Sequence, residues 1–488
     1  MSPTSPLTAR ARFGTAFRAL TAAMALLALG ACATTLPDGT VALSPIPASD
    51  KKIGEREHPR VVAAYGGAYE SPRMQAYLEN IVSELAAETG TDLDYKITIL
   101  NSPSLNAFSL PGGYLYVTRG LLALANDDAE VATVLSHEMA HVVRRHAISR
   151  EEQANAAATV SRVISDVVSD PVAGAQALAL TQRGLAQFSR VQEQEADLLG
   201  IHMAAEAGFD PAAAARFLNS LERQTTLHSH VLNQQYDSGR VDLFSSHPTT
   251  PERISAAQAA AAAEKQRGHR DRAAYLAALS GTLYGDDPRE GYVRERTFIH
   301  PVLGLTFSLP DGFGLENTPR AVVGIDSAGD IIRFDGITLP RETPLADHLT
   351  RGTVRSGTVG PVSEVQINGF QVAIADISAG EWVFRVALIR ARGNDVYRFI
   401  MAVKEMTPER SATFEEAIRS FRFITPAEAA LARPLRVAVV EVKRGDTIAS
   451  LSGRMALSDN KQERFMVLNG LTGASDLRPG MQVKLIVE

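Results

Sequence analysis

The sequence contains very little cysteine and tryptophan, and it carries no excess of positive charge. Its 488 residues include one cysteine and one tryptophan. A single cysteine excludes an intrachain disulfide and any zinc site built on cysteine ligands. The formal net charge of −6 argues against a general nucleic-acid-binding protein, because such proteins present a basic face. We therefore expect the function to come from histidine, aspartate and glutamate, together with whatever the lone cysteine does.

Long apolar runs are also missing beyond the N-terminus. No segment after the first 31 residues is apolar over the ~18 residues that a membrane-spanning helix needs, so we do not expect a helical membrane protein. Hydrophobic residues make up 45% of the chain and charged residues 21%, which excludes wholesale disorder and a collagen-like fibre. At about 100–200 residues per domain, the length predicts two to four domains.

The first 31 residues have the pattern of an export signal peptide. They contain three arginines and no acidic residue, and their apolar stretch at 19–29 is too short to span a bilayer. The stretch leads into Leu-Gly-Ala-Cys, ending at Cys32, which resembles the lipobox of bacterial lipoproteins. The resemblance implies cleavage before Cys32, lipidation of Cys32 and a periplasmic protein anchored in a membrane. Ala33 in the next position favours the inner face of the outer membrane. The alternative is an ordinary signal peptide with a chance cysteine.

Changes in composition predict a multidomain chain with a tether and three domains. Residues 32–48 carry three prolines among small residues, which is typical of a flexible tether. Residues 49–285 are helix-rich with two strand-like runs, so we expect a mainly α domain with a small β-sheet. Residues 291–425 contain several strand-like runs and one helix, an α+β pattern that faintly resembles modules of the PsbP/Mog1 type. The role of this second domain stays open.

Residues 436–488 read as strand, helix, helix, strand. Gly445-Asp446-Thr447 begins the first helix and Pro479-Gly480 turns into the final strand. The order and the turn residues resemble a LysM domain, a βααβ module that binds N-acetylglucosamine chains. The resemblance implies peptidoglycan as a partner. The alternative is an interaction module that does not bind sugar.

The chemistry centres on a His-Glu-Met-Ala-His run at residues 137–141. Asp127 with Glu130 three residues later predicts the start of the helix that carries it. Positions i and i+4 of a helix share one face, so His137 and His141 can reach a single Zn²⁺. Glu138 then lies beside the metal, where it can take a proton from water. The pattern also arises by chance, so its context must decide.

A zinc hydrolase needs a third protein ligand and an open fourth position. His146 lies five residues past His141, turned by about 140° on the helix, and is not expected to be a ligand. Glu193 and Asp197 share a face of a downstream helix. One of these carboxylates can bind zinc while the other orients a ligating imidazole.

Four segments occur in the order and spacing of the M48 (Ste24/HtpX-like) metallopeptidases. They are residues 106–113, 118–122, 137–146 and 193–197. Residues 50–260 therefore resemble this family, and most closely its soluble periplasmic branch. The resemblance implies a gluzincin site in which one Zn²⁺ per chain is bound by His137, His141 and Glu193, with Glu138 as general base. Asp197 would orient a ligand, and Glu195 is the alternative to Glu193.

Two further features complete the expected site. Ser-His-Pro at His247, followed by Arg253, resembles the His-Pro loop of the same branch, and the proline biases His247 toward extended geometry. The imidazole of His247 could occupy the open zinc position as a reversible plug; the alternative is a structural surface histidine.

Residues 113–118 are expected to offer a strand edge to an extended peptide. The residues expected to bind substrate there are Gly112, Gly113, Tyr114 and Leu115. The two glycines would allow the peptide to approach closely.

Together these features predict a lipid-anchored zinc metalloendopeptidase of the bacterial cell envelope. Its expected substrates are misfolded or stalled envelope polypeptides. One alternative is an envelope chaperone or assembly factor whose peptidase site is silent or autoinhibited. Another is a cell-wall hydrolase in which the LysM-like module is primary.

Overall fold

The first part of the chain is mainly helical around a small β-sheet, as expected for residues 49–285. A computed structural model describes residues 46–152, 188–232, 247, 250–318, 320–351, 357–430 and 433–488. The expected signal peptide, Cys32 and most of the tether lie outside the described residues. The helices of this part are α1 (Ala48–Ala64), α2 (Pro72–Ala87), α3 (Arg119–Leu124), α4 (Asp128–Val143), α5 (Arg190–Glu206), α6 (Ala213–Leu232), α7 (Pro251–Ala263) and α8 (Arg272–Leu279). Its strands are β1 (Lys96–Leu100), β2 (Ala107–Leu110) and β3 (Tyr114–Thr118).

Helix α4 begins where the sequence predicts it. Asp127 is the N-cap, and its side chain accepts a hydrogen bond from the backbone N–H of Glu130 at 2.9 Å. Every residue of α4 is buried. The histidines and the glutamate of residues 137–141 are therefore held in the protein interior.

The small sheet corrects one expectation of the sequence analysis. Its strand order is β1-β3-β2, with β3 parallel to β1 and antiparallel to β2. The expectation that residues 113–118 offer a free edge to substrate is wrong, because both edges of β3 are paired. Within the described residues no strand pairs with the outer edge of β2. The edge available to an extended peptide therefore belongs to β2.

Gly112 and Gly113 also serve a different purpose from the one expected. Both have φ near +90°, which L-residues with a side chain rarely adopt. A Cβ on Gly112 would lie 2.6 Å from the Cα of Lys51 at the start of α1. Tyr114 packs in the same region, since a Cβ on Gly54 of α1 would lie 2.5 Å from its ring, and Leu115 is fully buried. Gly112 and Tyr114 therefore lie against α1, Gly113 packs against Asp94 and Tyr95, and the four residues do not form an open substrate surface.

The second part of the chain is rich in β-strands, as its sequence predicts. A large antiparallel sheet has the order β10-β12-β13-β14-β9-β8-β7, with β11 also paired to β12, and a smaller sheet has the order β15-β6-β5-β4. The strands are β4 (Tyr292–Arg294), β5 (Thr297–His300), β6 (Leu305–Ser308), β7 (Gly314–Thr318), β8 (Ala321–Ile325), β9 (Ile331–Thr338), β10 (Thr358–Val359), β11 (Ser363–Ile367), β12 (Phe370–Ala379), β13 (Trp382–Arg390), β14 (Asp395–Val403) and β15 (Arg422–Phe423). The helices are α9 (Leu345–Arg351), α10 (Pro408–Ser420) and α11 (Pro426–Ala430). A phenylalanine-rich core fills this part, and none of the described helices has the length and apolar character needed to cross a membrane.

The last part of the chain forms the strand-helix-helix-strand unit that its sequence predicts. Its elements are β16 (Arg436–Glu441), α12 (Ile448–Gly453), α13 (Lys461–Leu468) and β17 (Gln482–Val487), and β16 pairs antiparallel with β17. The unit is attached to the helical part through backbone hydrogen bonds. The N–H of Val437 donates to the carbonyl of Thr282 at 2.9 Å, and the N–H of Gly281 donates to the carbonyl of Val437 at 2.8 Å.

A buried lysine strengthens this attachment. Lys484 of β17 is fully buried, and its Nζ donates to the carbonyl oxygens of Ala123, Leu124 and Ala125 at 2.8, 3.0 and 2.6 Å. These carbonyls stand at the C-terminal end of α3, where a helix leaves its last carbonyls without intrahelical partners. One ammonium group therefore caps a helix in another part of the chain with all three of its N–H donors.

Replacing Lys484 with methionine should destabilise the protein. The change leaves the three carbonyls without their donor, so we expect a loss of about 3 kcal/mol in the free energy of unfolding, measured by urea titration. Lys443→Met is the matched control, because Lys443 is exposed, and it should change that free energy by less than about 0.5 kcal/mol. Equal free energies for the two variants would contradict the capping role of Lys484.

The same junction should make stability depend on pH. Burial raises the pKa of Glu130 to about 7, from an ordinary value of 4.5, with Asp127 adding to the shift and Arg216 and Lys484 opposing it. The folded state thus binds more protons between these values. The contribution of Glu130 to stability is complete below the lower value and is lost as pH rises through the upper one.

Glu130→Gln should therefore flatten the pH dependence of unfolding. As pH rises from about 5 to about 8, the wild type should lose free energy of unfolding relative to the variant, by at most about 1.4 kcal/mol per pH unit. Urea titrations of both proteins across this range measure the difference. Parallel curves would show that Glu130 titrates at the same pH in the folded and unfolded chains.

Candidate metal centre

Four buried side chains converge at the centre of the helical part. His137 and His141 come from α4, Glu193 comes from the first turn of α5, and His247 comes from the chain between α6 and α7. One potential ligand atom from each lies within 4.8 Å of the others. The Nε2 atoms of His137 and His141 are 3.1 Å apart. The Glu193 carboxylate oxygens lie 3.7 Å and 3.6 Å from these two nitrogens.

This donor set fits a divalent metal ion such as zinc. Imidazole nitrogens and a carboxylate oxygen are the ligands that catalytic zinc sites use when cysteine is absent. Beside the group, Oε1 of Glu138 is buried and has no hydrogen-bond partner among the described residues. A buried carboxylate oxygen without a partner is costly unless something is bound next to it. Oε1 of Glu138 is therefore available to interact with a molecule bound at the site.

Close contact between α4 and α5 brings the group together. Ser189 caps α5 in a capping box with Gln192, which places Glu193 in the first turn of the helix. Further along α5, a Cβ on Gly200 would lie 2.8 Å from the backbone nitrogen of His137. Glycine at this position lets the two helix backbones approach closely enough for Glu193 to reach the imidazoles.

Asp197 lies where it can orient His137. Its Oδ1 is 3.0 Å from Nδ1 of His137, so Nε2 of that ring faces the ligand group. Arg253 of α7 holds the same carboxylate through Nε and Nη2 at 2.8 Å each, and its Nη1 lies 2.9 Å from Glu193. Burial alone would raise the pKa of Asp197, but the hydrogen bonds from His137 and Arg253 outweigh it and lower that pKa.

His247 occupies the remaining corner of the group. It is 3% exposed, and its Nδ1 lies 2.7 Å from Glu193 and 3.3 Å from Nε2 of His137. Its Nε2 is 3.6 Å from Glu138. Burial, followed by the charge of Arg253, lowers the pKa of His247 to about 3, so the imidazole is neutral there and keeps a lone pair to offer.

Two neighbouring residues of the sequence motifs stay outside the ligand group. His146 is not part of it, which agrees with the expectation that it is not a ligand. Glu195, the alternative to Glu193, points away from the group toward Arg144, whose Nε lies 2.9 Å from it. The proposal of Glu195 as a ligand is therefore wrong, because a helix position two residues from Glu193 faces a different side.

The site also contains residues that the sequence analysis did not assign. Ser109 of β2 donates from Oγ to the Glu138 carboxylate at 3.2 Å, which places the unpaired strand edge beside this glutamate. A small cavity of about 50 Å³ next to His137 and His247 has apolar walls that include Phe217 and Leu221 of α6. Ser109 belongs to the segment 106–113 and Arg253 follows the His-Pro loop, but neither was given a role in the sequence analysis, because each acts on a distant part of the chain.

Comparison with known proteins is consistent with this geometry. The sequence profile of Peptidase family M48 matches residues 72–261. The chain is 26% identical over 255 residues to the beta-barrel assembly-enhancing protease of Escherichia coli, covering 50% of each chain. It is 29% identical to the protein of the same name from Yersinia pestis, covering 38% of this chain and 39% of the relative. It is 30% identical to the mitochondrial metalloendopeptidase OMA1 of Schizosaccharomyces pombe, covering 42% of this chain and 59% of the relative.

These similarities are partial. The chain spans about half the length of the curated relatives it matches. Among solved structures, cyanobacterial PsbP from Synechocystis sp. PCC 6803 matches with a TM-score of 0.19 and 14% identity, covering 30% of this chain and 93% of that chain. A similarity at that score supports no conclusion about the fold of residues 291–425, whose assignment stays a prediction.

Gly200→Ala should disrupt the metal centre by separating α4 from α5. The added Cβ would meet the backbone of His137, which cannot move aside as a flexible side chain can. We expect a loss of about 1–3 kcal/mol in the free energy of unfolding and reduced metal content in the purified protein. Gly453→Ala is the matched control in a helix, because its Cβ would meet nothing within 4 Å. A Gly200→Ala protein with wild-type stability and metal content would show that α4 and α5 can accommodate a Cβ at this position, which would contradict the proposed role of Gly200.

Proposed function

We propose that the protein is a zinc endopeptidase that cleaves polypeptides, on the premise that residues 72–261, which match the profile of Peptidase family M48, form its peptidase domain. The observation that carries the proposal is the convergence of His137, His141 and Glu193 beside Oε1 of Glu138, a buried oxygen without a hydrogen-bond partner among the described residues. Zinc, when bound by these three side chains, would polarise the scissile carbonyl and lower the pKa of the attacking water.

The residues around the ligands have distinct tasks in this proposal. Glu138 accepts the proton of the attacking water and later delivers it to the leaving amine. Ser109 holds the Glu138 carboxylate in place through its hydroxyl. Asp197, fixed by Arg253, keeps the proton of His137 on Nδ1 so that Nε2 carries the lone pair.

The unpaired edge of β2 supports an extended polypeptide as substrate. The N–H of Thr118 donates to the carbonyl of Asn106, which makes these two residues a hydrogen-bonded pair of the antiparallel ladder. Because such pairs alternate along a ladder, the backbone groups of Ala107 and Ser109 face away from β3. An added peptide strand would be recognised mainly through its backbone, and only an unfolded segment can present its backbone in this way. Misfolded or stalled polypeptides fit that requirement.

His247 would keep the enzyme latent. Its imidazole lies in the ligand group and within 3.6 Å of Glu138, where the substrate carbonyl and the attacking water need space. The small cavity beside it would be enlarged by its departure. A site blocked in this way also accommodates the alternative of a chaperone with a silent peptidase centre.

The location of the enzyme is part of the proposal. The lipobox at Cys32 would anchor the chain at the periplasmic face of the outer membrane. Residues 436–488 would bind peptidoglycan, since the turns at Gly445 and Pro479-Gly480 are exposed and accessible to a glycan.

Glu138→Gln and His247→Ala should have opposite effects on proteolysis. Glu138→Gln keeps the three ligands but removes the base, so the variant should hold about one zinc per chain and lose about 10²–10⁴-fold in turnover of casein. His247→Ala should raise casein cleavage above wild type. Metal analysis and the casein assay, run on residues 33–488, measure both effects.

The controls are substitutions of the same kind at exposed positions. Glu222→Gln and His269→Ala should leave metal content and cleavage unchanged. A wild type without zinc would overturn the proposed metal centre. One zinc per chain without cleavage in any variant would favour the chaperone, and a His247→Ala protein with unchanged or lower activity at equal folding would contradict the plug.

A further inference from the structure

The two histidines of the helix motif are held in different ways. Nδ1 of His137 meets a carboxylate directly, at Asp197. Nδ1 of His141 meets a third histidine, His146, at 2.9 Å between the two Nδ1 atoms. The rings of His141 and His146 are 4.9 Å apart between centroids and inclined by 72°, so they meet in a T-shaped arrangement. Among the described residues, Nδ1 of His141 therefore meets an imidazole where Nδ1 of His137 meets a carboxylate.

The position of the proton on His141 follows from its two neighbours. Its Nε2 faces His137 and Glu193 in the ligand group. If this atom is to bind a metal, it must carry the lone pair, and the proton must lie on Nδ1. Nδ1 then donates to Nδ1 of His146, which has to act as acceptor.

The position of the proton on His146 is determined in turn by the carboxylate of Glu195. With Nδ1 accepting, His146 carries its proton on Nε2, and this atom lies 3.4 Å from Oε2 of Glu195. The other oxygen of Glu195 is held by Arg144 at 2.9 Å. Proton positions along His141, His146 and Glu195 are thus consistent with one another in a single arrangement.

The end of α4 explains how His146 reaches His141. On a continuing helix its position would lie about 140° away from His141. The helix ends at Val143, and Arg145 adopts φ +55°, a left-handed conformation that turns the chain back. Asp50, which is 3% exposed, holds this residue through hydrogen bonds from Nε at 2.9 Å and Nη2 at 3.2 Å. A strained residue fixed by a buried partner indicates that the turn is specified.

We infer that His146 and Glu195 are positioning residues for the metal centre, which orient the ring of His141 and keep its Nε2 lone pair directed at the metal. The inference rests on the proposed function, because it concerns a ligand of the proposed zinc. It extends that function by assigning a role to two residues that touch neither metal nor substrate. Helix α5 then supplies the ligand Glu193 and the carboxylates that support two other ligands. Asp197 supports His137 directly, and Glu195 supports His141 through His146.

Zinc affinity tests the inference independently of catalysis. His146→Leu removes the acceptor for Nδ1 of His141 and should weaken zinc binding by about 10–100-fold, measured by competition with a chelating indicator. His146→Asn keeps an acceptor oxygen near the position of Nδ1 and should stay within about threefold of wild type. Leucine fills the buried space better than asparagine, so a role in packing alone predicts the reverse order.

A spectroscopic readout and a matched pair of controls complete the experiment. With Co²⁺ in place of zinc, the absorption bands of the metal should shift in His146→Leu and remain close to wild type in His146→Asn. His269→Leu and His269→Asn, at an exposed histidine outside the ligand group, should match wild type in affinity and spectrum. Thermal unfolding of the metal-free proteins shows whether all variants are folded.

The outcomes separate this inference from the function on which it rests. A wild type that binds no zinc would overturn the proposed metal centre and the positioning role with it. A wild type that binds one zinc, with His146→Leu of equal affinity, would overturn the positioning role alone. The same conclusion would follow if the folded Asn and Leu variants were equally weak.

Discussion

The metal centre depends on the direct contact between helices α4 and α5. Glycine at position 200 removes the side chain that would keep the two backbones apart. Because of this contact, Glu193 reaches the imidazoles of His137 and His141, and Asp197 reaches the far side of the first ring. The ligand side chains are buried there, so the electrostatic interactions among them are stronger than they would be at a surface. A single small residue therefore sets the spacing of the whole site.

Burying so many ionisable groups requires that each carboxylate has a partner. Charged groups in a protein interior are tolerated when they are paired and hydrogen-bonded. Arg253 binds both Asp197 and Glu193, and Arg144 binds the half-exposed Glu195 on the other side of the helix. The arginines come from sequence positions far from the carboxylates or just beyond the end of α4. They compensate negative charge without entering the ligand group.

Local sequence patterns predicted the parts of the site that lie on one helix. The cap at Asp127 depends only on a side chain that accepts from a free backbone N–H, and the shared face of His137 and His141 depends only on helical periodicity. The strand order was not predictable, because the sequence of β3 does not show which strands pair with it. The parallel pairing with β1 and the antiparallel pairing with β2 together occupy both of its edges. His146 was placed on a continuing helix, whereas the left-handed turn at Arg145 ends it. Buried Lys484 breaks the usual rule that lysine lies at the surface.

The attachment of residues 436–488 fixes the orientation of this unit relative to the helical part of the chain. A module joined by a flexible linker would sample many orientations around the active site. Here, backbone pairing with residues 281–284 and the ammonium of Lys484 at the end of α3 prevent such rotation. If residues 436–488 were bound to an extended surface, the ligand group would consequently have a fixed orientation relative to that surface. Polypeptides approaching from one direction would reach the edge of β2, and those approaching from the opposite direction would not.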